Sequence, residues 1–419
     1  MSSIELKKGR AAIPFEYDEE RFDVLGGASG GAAMSDAEIG ARFDEPIGSK
    51  TIEEIVGDGD TVLIVVPDAT REVGCGQVVN LLVRRLIANG TNAFDIRIIF
   101  ATGIHRKVTD AEKAAIVTPF IAQRIKMLDH DPRDLMQIVR MGETEGGIPV
   151  DLNRALTEHD HVILVGGVSF HYFAGFSGGR KLICPGLTSS RTVSATHKLA
   201  FDCDKLDRRD GVGTGLLDGN AVHEAFVEVS GRVTPSFAIT TTVNDEGEIT
   251  DLHCGDWIVS HRAACDAFLA NHSVTVPDRR DLVIVSCGGF PHDINLIQGH
   301  KALDAASYAC REGGTIILLA ECSEGLGRAD FIDWFAAVDS RALAAKLCAK
   351  YQVNGQTAWS LLKKTERFDI RIVSDLPAET ASQMGLTAYP TLDEALKKAT
   401  PFESGFIIPT GARCLVRLT

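Results

Sequence analysis

His161-Val-Ile-Leu-Val165, followed closely by Ser169-Phe-His-Tyr-Phe-Ala-Gly-Phe-Ser-Gly-Gly-Arg-Lys-Leu-Ile-Cys-Pro-Gly186, decides how this chain is read. The first run is apolar, short and β-branched, so it reads as a buried strand. The second packs His171, a Ser177-Gly178-Gly179 turn, Arg180 and Lys181 into eleven positions. Glycines let the backbone approach a ligand and turn successive N–H groups toward an anion. A lysine at the end of such a turn serves as a point charge on phosphate, or as an amine that forms a covalent bond. The same pattern also describes a plain Gly-rich turn with one solvated lysine, because Gly-rich loops are weak signals. Sixteen positions on, His197 lies in Ala-Thr-His-Lys.

Outward from this stretch the chain alternates strand and helix. The run 61–66 reads as a strand and leads into Pro67-Asp68-Ala69-Thr70-Arg71. Helical spacing follows over 77–88, with Val78, Leu81, Leu82 and Leu86 on one face. A second strand over 95–101 leads into Thr102-Gly103-Ile104-His105-Arg106. Before these, 8–16 reads as an edge strand, 26–33 as a flexible Gly-rich loop, and 49–55 as a short helix ended by Gly57. After His197 come a polar surface loop over 202–218, a helix capped by Asn220, a strand over 236–243 and a helix over 261–271. A boundary falls near 274–280. The second half repeats the alternation, with strands at 281–286, 315–320 and 369–373. Helices lie near 300–311, 328–337, 340–349 and 391–398. This predicts two α/β domains with mainly parallel sheets, 1–275 and 279–402, with 403–419 returning to the first domain as one or two strands. The active site is expected in the cleft between domains.

Composition narrows the function. The chain has 419 residues, 45% of them hydrophobic, and a net charge of −14. That charge argues against non-specific nucleic-acid binding, so clustered cations need a local reason. No window approaches a membrane span, and the first residues lack the apolar core of a secretory signal. The ten cysteines form no C-x-x-C pair. Reduced thiols and a cytoplasmic location are therefore expected, with Cys184 read as packing.

In open α/β sheets, ligands sit beyond the carboxyl ends of the strands. Three such ends carry reactive residues here: Asp68 and Arg71, His105 and Arg106, His171 and Lys181. In the second half Gln298 and Lys301, three apart, share one helical face. Each has a plainer reading: a cap and local ion pair for Asp68 and Arg71, a turn for His105, an ordinary helix-surface position for His300. The remaining histidines read as structural. Coincidence at several independent strand ends favours a site.

Taken in order, Asp68-x-Thr-Arg71, Thr-Gly-x-His105-Arg, His171-x3-Gly-x-Ser-Gly-Gly-x-Lys181, Thr-His197-Lys and Gln298-x-x-Lys301 resemble the nickel-dependent lactate racemase family over about 45–330. The resemblance implies a two-domain α/β isomerase, a racemase or epimerase of 2-hydroxy acids. It implies a nickel-pincer nucleotide (pyridinium-3,5-bisthiocarboxylic acid mononucleotide nickel) attached covalently to Lys181, with His197 as the protein ligand to nickel. His105 and His171 would be the acid/base pair. Arg71, Gln298 and Lys301 would hold the substrate. Asp68, Thr70, Ser177, Gly178 and Gly179 would serve the cofactor site, with Asp68 also supporting Arg71 or a histidine. Maturation proteins would be needed as partners.

The residue chemistry is consistent with this. The α-proton of a 2-hydroxy acid is very weakly acidic, and a hydride route avoids removing it. A base then takes only the hydroxyl proton, and two bases serve the two enantiomers; imidazoles suit that task near neutrality. Arginine and lysine fix a carboxylate through charge-assisted hydrogen bonds, and a neutral imidazole suits nickel. One departure is Ile297, where the lactate enzymes carry Tyr before the Gln. With Phe170, Tyr172, Phe173 and Phe176 crowding the central motif, it predicts a substrate other than lactate. Trp359 is a weak further candidate, and core packing is its plainer reading. Competing readings are a metal-independent Schiff-base enzyme at Lys181, a zinc hydrolase using His105, His171 and His197, and a non-catalytic ligand-binding relative.

Overall fold

The computed structural model describes residues 1–26, 31–399 and 401–419. The Gly-rich loop read at 26–33 lies partly outside them, at 27–30. Two compact units emerge: one comprises 29–200 and 210–268, the other 1–28, 201–209 and 269–419.

The first unit is built on a six-stranded sheet. Its order is Ile249–Gly255, Phe237–Val243, His161–Gly167, Val62–Pro67, Ile96–Ala101, Lys126–Leu128. All neighbours are parallel except the first pair. Val62–Pro67 is buried at every position, as a central parallel strand covered on both faces must be. Its period-two alternation divides the core. Val62, Ile64 and Val66 enter one cluster with Ile98, Phe100 and Leu82. Leu63 and Val65 enter the other with Leu164, Val150 and Phe226.

The helix Cys75–Ala88 covers the first face by burying Val78, Val79, Leu82, Val83 and Leu86. That spacing is a helical stripe, and each such side chain contributes about 1.5–3 kcal/mol of burial. Gly74 starts the helix at φ 64, and a Cβ there would meet Ile249 Cγ1 at 2.3 Å. Any side chain at 74 would therefore displace a neighbouring strand. The chain runs from Val62–Pro67 outward to Ile96–Ala101, then returns to place His161–Gly167 on the opposite side of Val62–Pro67. Such a switch point opens a crevice at the strands' carboxyl ends. Asp68 and the 169–181 loop both begin there.

The second unit has a fully parallel six-stranded sheet. Its order is Thr387–Tyr389, Asp369–Val373, Cys310–Leu319, Arg280–Ser286, Gly405–Ile408, Phe22–Val24. Its switch point lies between Arg280–Ser286 and Gly405–Ile408. Gln298 and Lys301 follow the first of these strands.

The sequence expectations hold for most strands, and several assignments are corrected. Residues 403–419 do not return to the first domain. Gly405–Ile408 is buried throughout and lies between Arg280–Ser286 and Phe22–Val24, while Leu415–Leu418 pairs with Ser273–Val276. The amino-terminal hairpin Ser2–Lys8 with Ala11–Tyr17 also joins this unit, through Leu6 and Phe15. Within 202–218, Phe201–Asp202 and Asp207–Arg208 form a small hairpin belonging to the second unit. Cys203 there is disulfide-bonded to Cys348, so the thiols are not all reduced; the other eight are buried. Cys184 is packing, as expected: burial pushes its thiol up to about 12.

His300 is not a surface residue but buried, its Nδ1 2.7 Å from the Ile297 carbonyl. The helix Val353–Thr365 was not foreseen. It is buried at every position from Gly355 to Leu361, which erases the polar–apolar alternation that marks a helix. Trp359 lies on it, edge-on to Phe201 at 5.0 Å, as a core residue. No helix among the described residues is long and apolar enough to cross a membrane.

Candidate active site

Three of the reactive strand ends belong to neighbouring strands of the first unit's sheet. After Val62–Pro67 the chain turns sharply, and Asp68 closes that turn. Its Oδ1 accepts the Thr70 amide at 3.0 Å and the Thr70 hydroxyl at 2.6 Å. Its Oδ2 lies 2.6 Å from His105 Nδ1, on the turn after Ile96–Ala101. Arg71 Nη1 donates to the Thr70 carbonyl at 3.1 Å and to its hydroxyl at 3.2 Å. A chain of hydrogen bonds thus links Arg71, Thr70, Asp68 and His105. The Asp68 carboxylate bonds the histidine directly and reaches the Arg71 guanidinium by hydrogen bonds through Thr70.

Burial alone would raise the Asp68 carboxyl. The His105 imidazole, Arg71 and Thr70 outweigh it and hold the group well below the usual carboxylate range. An ionised Asp68 can only accept, so His105 Nδ1 carries the hydrogen and Nε2 the lone pair. The His105 side chain is 42% exposed, so that lone pair is within reach of a ligand. Arg106 forms a surface ion pair with Glu112.

The central motif brings together residues far apart in sequence. His171 is buried, stacked on Tyr172 at 5.4 Å and edge-on to Phe173 at 4.5 Å. Its Nδ1 accepts the Ala174 amide at 3.3 Å, which leaves Nε2 carrying the hydrogen of the neutral ring. Lys181, half-buried on the short helix Gly179–Leu182, has its amine 5.8 Å from the Phe173 ring and 5.7 Å from the Phe226 ring. His197, on the helix Ser190–Lys198, faces the same two rings at 5.1 and 5.5 Å. Lysine and imidazole therefore share one pair of aromatic walls.

Burial, with Lys181 nearby, pushes His197 down to about 3, so its ring is neutral. The Thr196 hydroxyl donates to the Thr192 carbonyl at 2.9 Å and lies 3.3 Å from His197 Nδ1. With its own hydrogen committed, Thr196 accepts from Nδ1 beside the Val193 carbonyl, and Nε2 keeps the lone pair. Neither Phe226 nor Thr196 was singled out from sequence. Phe226 lies on a helix 45 positions after Lys181 and carries no motif. Thr196 carries no sequence signal beyond its place beside His197.

The Ser177-Gly-Gly turn is tightly packed. Ser177 Oγ donates to the Gly167 carbonyl and lies 2.9 Å from Ser169 Oγ. A Cβ on Gly178 would meet the Gly167 oxygen at 2.8 Å, and one on Gly179 the His261 ring at 2.6 Å. Close packing alone accounts for both glycines. The crowding aromatics Phe170, Tyr172, Phe173 and Phe176 are all buried.

In the second unit, Gln298 closes the one-turn helix Leu296–Gly299, capped by Asn295, and Lys301 starts the next helix. Lys301 Nζ donates to Gln298 Oε1 at 2.5 Å, so the two do share a face. Ile297 packs on that unit's core. Among the described residues, no three His, Cys, Asp or Glu side chains are placed to hold a metal ion. His105, His171 and His197 therefore form no protein-only metal triad of the zinc type.

A doubly wound sheet presenting a lysine and three histidines beyond its strand ends has the layout of a small-molecule enzyme. Residues 9–207 match the model of the lactate racemase N-terminal domain, and 276–412 that of the lactate racemase C-terminal domain. The lactate racemase of Lactiplantibacillus plantarum is 30% identical and that of Thermoanaerobacterium thermosaccharolyticum 27%, each over the whole of both chains. The lactate racemase apoprotein structure from the latter organism superimposes with a TM-score of 0.89 at 26% identity, covering 99% of this chain and 100% of that one. A Thermotoga maritima protein shares the fold at TM-score 0.71 and 19% identity, over 93% of this chain and 99% of that one. The chain belongs to the lactate racemase family, a family of isomerases acting on hydroxy acids.

Proposed function

We propose that this protein racemises or epimerises a 2-hydroxy acid at a site where His105 and His171 exchange protons beside a nickel-pincer nucleotide attached to Lys181. The observation that carries the reading is the shared aromatic wall: Phe173 and Phe226 flank both the Lys181 amine and the His197 ring. The residues fit such a group. Lys181 offers an amine between two flat rings, and His197 a neutral imidazole with its Nε2 lone pair kept. A nickel bound mainly by an organic group needs no more than one protein ligand. When bound, that nucleotide supplies an electrophilic centre able to accept and return a hydride.

The chain's own residues do the rest. Asp68 fixes the His105 ring with Nδ1 toward its carboxylate, so His105 Nε2 can take the hydroxyl proton of one enantiomer. His171 begins with a hydrogen on Nε2 and can give it to the oxygen of the flat 2-keto acid on the other side. Arg71, braced by Thr70, binds the carboxylate, and the family resemblance adds Gln298 and Lys301 to that task. The buried aromatics around Lys181 and His171 keep water away from the reacting carbon.

Ile297 in place of Tyr supports a substrate other than lactate, with a different or larger side chain. Two measurements on protein produced with its maturation proteins test the proposal. Intact mass and metal analysis should show one nucleotide on Lys181 and one nickel. A panel of 2-hydroxy acids should be racemised, with an acid other than lactate preferred. Lys181→Ala should abolish both adduct and turnover. Activity that survives this change would refute the mechanism. Borohydride trapping of substrate on an unmodified Lys181 would support a Schiff-base enzyme instead.

A further inference from the structure

Arg180, the residue before Lys181, points the other way. It is 1% exposed and one of the largest fully buried side chains among the described residues. Its Nη2 donates to the Ala174 carbonyl at 2.8 Å, and its Nη1 reaches the Ser177 and Gly178 carbonyls at 3.4 Å. Nη1 also lies 3.1 Å from His261 Nε2, which is 2.8 Å from the Ser177 carbonyl. The shorter contact makes His261 Nε2 a donor to Ser177, so the guanidinium is left with carbonyls. The remaining neighbours that bear on its charge are the thiols of Cys265 and Cys184. Burial, and Arg180 itself, push His261 down to about 3, so that ring is neutral. Among the described residues no carboxylate pairs with this arginine. Its Nε has no partner at all.

A buried cation without an anion is costly, and a protein packing only for stability would pair it or replace it. Here the cost falls in the loop that presents Lys181. The three carbonyls gathered by the guanidinium belong to residues 174, 177 and 178, which span that loop. Ser230 Oγ holds the Arg180 carbonyl from the other side at 3.0 Å.

We propose that Arg180 is a positioning residue for Lys181, a fixed buried positive charge that closes the 174–178 loop and draws anionic reactants to the neighbouring amine. The inference rests on Lys181 being the reacting amine. It adds that the chain carries a permanent charge for this purpose, insulated from the counter-ions that would quench it at the surface. The reactants favoured are those whose group meeting Lys181 is a carboxylate, a thiocarboxylate or a phosphate ester.

The test uses the unloaded full chain and two amine reagents, resolved at Lys181 by peptide mass spectrometry. One is the neutral N-hydroxysuccinimide ester of acetic acid, the other the anionic trinitrobenzenesulfonate. Removing the charge should lower the anionic-to-neutral rate ratio at Lys181 about fivefold in Arg180→Met and Arg180→Gln. Arg180→Lys, which keeps the charge, should stay within about twofold of the parent ratio. A role in packing alone would change both rates in parallel, so an unchanged ratio in a folded Met or Gln variant overturns the proposal. If neither variant melts cooperatively, Arg180→Lys decides, and a loss of ratio there refutes it. Because no nucleotide is present, the result is independent of whether one is ever found on Lys181.

Discussion

His105 and His171, the two histidines proposed to exchange protons with the substrate, differ in setting. His105 is partly open and backed by a carboxylate at 2.6 Å. His171 is buried among aromatic rings, and its Nδ1 accepts the Ala174 backbone amide. Asp68 accepts from Nδ1 at position 105, whereas the Ala174 amide donates to Nδ1 at position 171. The resting tautomers are complementary: Nε2 of His105 is a lone pair, and Nε2 of His171 carries hydrogen. The difference teaches that the two faces of a flat intermediate need not be served by equivalent groups. One histidine is built to gain a proton first, the other to lose one first.

The largest effect should come from breaking the carboxylate side. In Asp68→Asn the amide can donate to Nδ1, which would turn the lone pair away from Nε2. Turnover of nickel-loaded enzyme should fall roughly 10³–10⁴-fold, since the analogous change in a serine-protease triad costs about 10⁴. Nickel content and adduct mass should stay at parent levels. Next comes the aromatic side. His171→Gln keeps volume and polarity but cannot shuttle a proton, and should cost about 10²–10³-fold in kcat with little change in KM. Equal losses in the two variants, with the same pH profile, would remove the asymmetry argued above.

A smaller effect should separate proton transfer from metal binding. Thr196→Val removes the hydroxyl that, with the Val193 carbonyl, holds the His197 ring, and leaves His105 and His171 untouched. Nickel affinity should drop about 10–100-fold, as is usual when the group orienting a ligand is lost. Dialysis against a chelator, followed by metal analysis, reads it directly. Unchanged nickel retention would show that His197 needs no such support.

Much of this site was legible in the sequence, for a physical reason. Parallel strands must be apolar at every position, so Val62–Pro67 and His161–Gly167 announce themselves, and whatever follows their carboxyl ends lies at the crevice. Asp68, His105, His171 and Lys181 were found that way. Residues whose importance is purely spatial were not. Phe226 reaches Lys181 from a helix that reads as ordinary amphipathic packing. Arg180 stands next to Lys181 in the sequence, and its burial is what sets it apart. The fate of 403–419 was misjudged because a four-residue apolar strand carries no label for its sheet; the gap between Arg280–Ser286 and Phe22–Val24 decides it. Helix Val353–Thr365 was missed because burial on all sides leaves no stripe to read.

The smallest effect contrasts the open, carboxylate-backed histidine with the buried ones as a class. Burial pushes His130 down to about 4, and His197, His261 and His300 to about 3. A histidine with a depressed folded value binds its proton more readily once unfolded. Its contribution to stability is therefore complete above the unfolded value of about 6.5 and is lost as pH falls from there toward 4 and then 3. Asp68, also depressed, adds to stability above about 4 and loses that contribution only at lower pH. Acid sensitivity should thus begin well before any carboxylate is protonated. The unloaded protein should hold a constant denaturation midpoint above pH 7. Between pH 6 and 4.5 it should lose on the order of 1 kcal/mol per pH unit for each buried histidine. His261→Gln should flatten that slope by about one proton. A parent protein equally stable at pH 7 and pH 4.5 would mean that these rings are protonated in the folded state, and the neutral imidazole assigned to His197 would fall with them.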